Sequence, residues 1–76
     1  MPIQTFDPFD IDLWRQFEQV RLTGEANMFD RVAVQDIAAE TGLWKLANTP
    51  RAKYCWLLTN YSDLQAAAAE EGKQAG

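Results

Sequence analysis

The chain has 76 residues, 47% of them hydrophobic, and its nine aromatic side chains give it enough apolar surface for one small core and little more. Eleven acidic against seven basic side chains leave a net charge of −4, which disfavours non-specific nucleic-acid binding, and the absence of histidine excludes imidazole acid–base chemistry and histidine metal sites. The lone Cys55 has no partner for an internal disulfide. With no basic-then-apolar leader and no apolar run near ~18 residues, the expectation is a soluble, cytoplasmic protein without a membrane segment.

In chain order, Met1–Phe6 reads as a short extended lead-in. Asp7-Pro8 is a helix start, with Asp7 as cap and Pro8 at the first helical position, where its missing N–H costs nothing. The first helix is expected over 8–23. Phe9, Leu13, Phe17 and Val20 fall on one stripe and Trp14 widens it; Ile11 and Leu22 lie off it. Gly24 closes the helix.

Local signals are densest from Thr23 to Gly42, TGEANMFDRVAVQDIAAETG. Asn27 or Asp30 can cap a second helix over 31–41, and Met28 and Phe29 read as apolar plugs that dock the turn onto the core. Val34, Ile37, Ala38 and Thr41 share one face, while Gln35, Asp36 and Glu40 point outward. Gly42 is the stop. Leu43–Ala47 suffices for a turn of helix, interrupted by Thr49-Pro50, since the residue before proline is pushed out of the α region. Thr49 and Pro50 then restart the chain as cap and first residue of a third helix over 50–65. Its core face is Tyr54, Leu57, Leu58 and Tyr61, with Leu64 and Ala68 prolonging the stripe and Asn60 and Ser62-Asp63 marking a weak point. Nothing alternates with period two. The expected fold is all-α, a small bundle of three main helices joined by short turns. It forms a single helical domain over 1–70, with residues 71–76 as a frayed tail.

Val20-Arg21-x-Thr23-Gly24-x-x-Asn27-Met28-Phe29-Asp30, followed by Val34, Ile37-Ala38, Glu40, Gly42, Leu46 and Tyr54, resembles a family of small phage and prophage proteins known as a domain of unknown function. The likeness covers roughly Arg15 to Leu58. It implies a helical, cytoplasmic, phage-encoded accessory protein and carries no active site with it.

Catalytic residues are not expected: no serine, threonine or cysteine has a histidine to activate it, and Cys55 reads as an inert, partly buried thiol. Asp36 and Glu40, four apart on one helix face, are the one pair placed to share a divalent ion, but a solvated acidic face is the favoured reading. No cofactor and no metal site is therefore assigned. Two binding classes remain. Asp36–Leu43 resembles the first helix and turn of a helix-turn-helix DNA reader, which would bring Trp44, Lys45, Asn48, Thr49 and Arg51 to DNA; Pro50 and the polar Asn48 and Arg51 at anchor positions oppose it. The favoured class is a protein-binding module. Trp56 sits roughly 140–160° from the centre of the third helix's core face at 100° per residue. With Ala52, Thr59 and the more distant Trp44, it is assigned to a partner-binding surface, unless the N-terminal lead-in folds over it. The expected partner is a host or defence protein that the chain inhibits, or a second copy forming a homodimer.

Overall fold

The Asp7-Pro8 start is used as expected. The computed structural model describes residues 6–75, which form five helices: α1 (Pro8–Thr23), α2 (Arg31–Glu40), α3 (Trp44–Ala47), α4 (Arg51–Thr59) and α5 (Tyr61–Ala75). No strand occurs among the described residues, so the chain is an all-α globule. Of the extended lead-in only Phe6 is described; Met1–Thr5 and Gly76 lie outside the described residues. Asp7 occupies the N-cap in an extended conformation, although its side chain makes no cap bond; its carbonyl accepts from Asp10 and Ile11 instead.

Helix α1 is the element the others cover, with α5 on one side and α2 and α3 on the other. It therefore buries more than one stripe. Leu13, Phe17 and Val20 are buried as the periodicity predicts, and so is Ile11, which lies off that stripe. Phe9 corrects the expected pattern in the other direction. It is 50% exposed, because the first turn of α1 faces the one-turn α3 across a groove rather than a long packed helix. The main aromatic cluster has Phe17 between Tyr54 and Tyr61, each ring centroid 5.9 Å away, with Trp14 6.0 Å from Tyr61. Leu57 and Leu64 are fully buried beside it.

Both glycine stops carry left-handed backbone, Gly24 at φ 69° and Gly42 at φ 77°, where a side chain would be strained. At Gly42 the closing bonds run from Leu43 N–H to the Ala38 carbonyl (2.8 Å) and from Gly42 N–H to Ala39 (3.4 Å), the six-to-one and five-to-two pair of a Schellman ending.

Three further expectations are corrected. Gln35 does not point outward: its Nε2 donates to the carbonyls of Leu46 (2.9 Å) and Thr49 (2.7 Å), and Arg31 donates to its Oε1 (2.6 Å). Gln16 of α1 accepts from Leu46 N–H (3.0 Å). A single helical turn cannot satisfy its own backbone, and these two glutamines supply the missing partners. The long third helix also breaks, at the weak point, into α4 and α5. Asn60 adopts φ −102°, ψ 14°, its Nδ2 returns to the Trp56 carbonyl (2.9 Å), and its own carbonyl accepts from Leu64. Asparagine commonly competes with the helical backbone in this way. The break lets α5 turn onto α1, and the helix runs to Ala75, through most of the 71–76 stretch expected to be a frayed tail. Thr49 is not the cap of α4. It is buried and donates to the Lys45 carbonyl (2.6 Å), and Pro50 takes the cap position.

Candidate interaction surface

The groove between α1 and the α3–α4 connection is where exposed aromatic surface collects. It encloses about 300 Å³ and is lined by Phe9, Trp44, Lys45, Thr49, Pro50 and Lys53, with Asn48 at its edge. Each wall has a local cause. Trp44 is the first residue of α3, and a helix this short has no second turn to cover it, so it remains 62% exposed. Pro50 fixes the backbone between α3 and α4 and brings an apolar ring to the groove. The floor is held by the bond of Thr49 to Lys45.

The two groove lysines are not free cations. Lys45 Nζ lies 2.9 Å from Asp12 Oδ2 and 5.8 Å from the Phe9 ring centroid, and Lys53 Nζ lies 2.7 Å from Asp10 Oδ1. The hydrogen bond and charge of Lys45, aided by Arg15, hold the Asp12 carboxyl below its ordinary range. The acidic first turns of α1 thus neutralise the basic residues opposite them. What the groove offers a ligand is apolar and aromatic surface with little net charge.

The residues assigned to a partner-binding surface from sequence are only partly brought together. Trp44 lines the groove. Trp56 does not stand exposed: Phe6 packs on it edge-on at 5.9 Å, and Lys53 Nζ sits 3.7 Å above its ring. Phe6, the one described residue of the lead-in, covers Trp56, which is half-buried. Ala52 and Thr59 are exposed on α4, where the Thr59 hydroxyl donates to the Cys55 carbonyl (2.9 Å), and neither reaches the groove. Cys55 is exposed rather than partly buried. Sequence reasoning missed Phe9, because its place on the apolar stripe of α1 reads as core. The signal available was its position in the first turn, ahead of any covering helix.

The DNA-reading geometry is not formed. The segment after the α2 stop is the four-residue α3, ended by Asn48, Thr49 and Pro50. Of its supposed contacts, Lys45 is paired with Asp12 and Thr49 is buried. Among the described residues no group of three or more metal-ligating side chains forms, so Asp36 and Glu40 have no third ligand. No helix among them is long and apolar enough to cross a membrane.

The turn Asn27–Asp30 also departs from its expected role. Met28 packs against the core as expected, but Phe29 is 82% exposed, the most exposed large apolar side chain described. The turn is closed by its polar atoms: Asn27 Oδ1 accepts from Phe29 N–H (2.9 Å), Asp30 N–H donates to the Asn27 carbonyl (2.8 Å), and Asp30 caps α2 through Ala33 N–H (3.2 Å). Tyr54 then donates its hydroxyl to the Met28 carbonyl (2.7 Å), tying the turn to α4.

Neither a curated protein nor a solved structure matches the chain. A family model does, over residues 10–56, which take in α1 from Asp10 onward, the Asn27–Asp30 turn, α2, α3 and the first two-thirds of α4. That is more than half the chain, and the chain belongs to the family described as Domain of unknown function (DUF5049).

Proposed function

We propose that this chain is a small non-enzymatic binding protein that presents an aromatic helical surface to a protein partner. The observation that carries the reading is the pairing of Phe9 and Trp44, both half or more exposed, across a groove whose lysines are already neutralised. A chain that buries Phe17, Tyr54, Leu57 and Leu64 almost completely has the means to bury aromatics, and these two are left out. Exposed aromatic side chains around a shallow apolar groove are the usual anchors of protein–protein contacts. Absent histidine and a thiol with no activating base support a binding role over catalysis.

The resemblance to phage and prophage proteins supports the finer reading. The chain acts in the cytoplasm of an infected bacterium and occupies a surface of a host or defence protein, blocking it, or it assembles with a second copy. Acidic net charge is consistent with a protein partner and unfavourable for nucleic acid.

The test is co-purification from host lysate of the tagged chain beside its Trp44→Ser variant, with sedimentation equilibrium of each alone. The reading expects the wild type to retain a stoichiometric protein, or to dimerise, and the variant to lose that while melting at the same temperature. Identical behaviour of the two proteins would contradict it.

A further inference from the structure

Phe29 exposes an aromatic ring on a turn that four hydrogen bonds hold in place. Val32, three residues on and in the first turn of α2, is 60% exposed beside it. Neither side chain contributes to the core, and leaving both in water is unfavourable for the isolated chain. Because the turn is already rigid, a partner taking up Phe29 would incur little ordering cost, a feature that favours affinity.

The charge around this pair is distinctive. Going along the exposed side of α2 from Val32, the next outward residues include Asp36 and Glu40, and Glu25 stands exposed in the turn before it. Among the described residues none of these three carboxylates is in an ion pair, whereas Asp10, Asp12 and Glu18 of α1 each hold a cation. Arg31, between Phe29 and Val32, is hydrogen-bonded to the neutral Gln35 and keeps its charge, so with Glu25, Asp36 and Glu40 the surface remains net acidic. Two copies of this chain meeting here would set these carboxylates against each other, which disfavours self-association through this surface.

We infer that Phe29 and Val32, flanked by Glu25, Asp36 and Glu40, form a second docking surface, separate from the Phe9–Trp44 groove, for a protein whose apolar pocket is ringed by lysine and arginine. Phe29 supplies the anchor. The carboxylates supply long-range attraction and discrimination against acidic partners.

The inference is tested by titrating the full isotope-labelled chain with an amphipathic helical peptide of leucine and lysine, and separately with its counterpart in which glutamate replaces lysine, following amide chemical shifts. The lysine peptide is expected to shift amides from Met28 to Glu40 saturably, and the glutamate peptide to shift none. Phe29→Ser should weaken the lysine peptide about tenfold or more while leaving the melting temperature unchanged. Asp36→Asn with Glu40→Gln should flatten the salt dependence of binding. Absence of saturable shifts, shifts centred on Phe9 and Trp44, or a Phe29→Ser variant that binds like the wild type would each overturn it. The Trp44→Ser comparison above reports on the groove alone, so the two surfaces fail or hold separately.

Discussion

Where α1 meets α4 and α5 an apolar cluster carries the packing: Phe17 lies against Tyr54 and Tyr61, and Leu57 and Leu64 are fully buried alongside, with the Lys53–Asp10 ion pair and the Tyr61–Glu18 hydrogen bond added to it. Around α3 one buried side chain, Leu46, is supplemented by polar clamps: Gln16 and Gln35 bond the α3 backbone from two neighbouring helices, and Lys45 is tied to Asp12. The difference follows from element length. Long helices can be held by a stripe of side chains, whereas one turn leaves most of its backbone groups without intrahelical partners and must borrow them. It also accounts for the exposure of Trp44, the centre of the proposed interaction surface, since so short a segment leaves that side chain uncovered.

Breaking the apolar half should cost most. Leu57→Ala is expected to lose about 2–5 kcal/mol, a large share of the stability of a chain this small, measured by chemical denaturation. Gln35→Ala should cost less, about 1–3 kcal/mol, by removing the side-chain donor to the Thr49 carbonyl and one of the donors to the Leu46 carbonyl. Its effect should be local: amide hydrogen exchange should accelerate from Trp44 to Thr49 and remain slow in α5. A uniform rise in exchange across both regions would remove the distinction drawn between them.

Tyr54→Phe removes the bond to Met28 and should cost about 1 kcal/mol. It should also change the alkaline limb of the stability profile. Burial, then the Asp30 charge, push the Tyr54 hydroxyl from its ordinary 10.0 up to about 12. A pKa raised on folding means a contribution complete below pH 10.0 and lost as pH rises toward about 12. Tyr61, raised by burial and by Glu18, adds to the same loss, so Tyr54→Phe should diminish the alkaline decline without abolishing it. On the acid side the sign reverses. Burial works to raise the Glu18 carboxyl, and hydrogen bonds from Arg21 and Tyr61 outweigh it; Lys45 lowers Asp12. Depressed values contribute above the ordinary 4.5 and 3.8 and are lost as pH falls through them. Since Asp12 holds Lys45 and Glu18 holds Tyr61, amides of α3 and of the start of α5 should both exchange faster on acidification.

The smallest stability effect belongs to the exposed aromatics. Trp44→Ser and Phe29→Ser should each leave stability within about 0.5 kcal/mol, as expected of surface positions.

Much of the frame was legible in the residues. Asp7-Pro8, Asp30, Gly24 and Gly42 each announce a helix end by a local mechanism, and the Leu13–Phe17–Val20 and Tyr54–Leu57 faces follow from helical spacing. What was not legible depends on tertiary neighbours. Gln35 reads as solvent-facing because glutamine carries no apolar signal, and its role appears only once α3 lies beside it. Phe29 reads as core because it is aromatic and adjoins Met28, yet the turn places the two side chains in different surroundings. Trp56 lies off the main face of its helix, as its angle indicates, but whether that meant solvent or a cover depended on Phe6, far away in sequence.

The central claim is that Trp44 is held out for recognition and not for folding. Its most direct test is site-specific replacement of Trp44, and separately of Gln65 on the exposed side of α5, by a photocrosslinking phenylalanine in the producing cell. The account predicts a discrete covalent adduct to a protein, another molecule or a second copy, from position Trp44 and none from Gln65. No adduct from Trp44, or the same adducts from both positions, would contradict it.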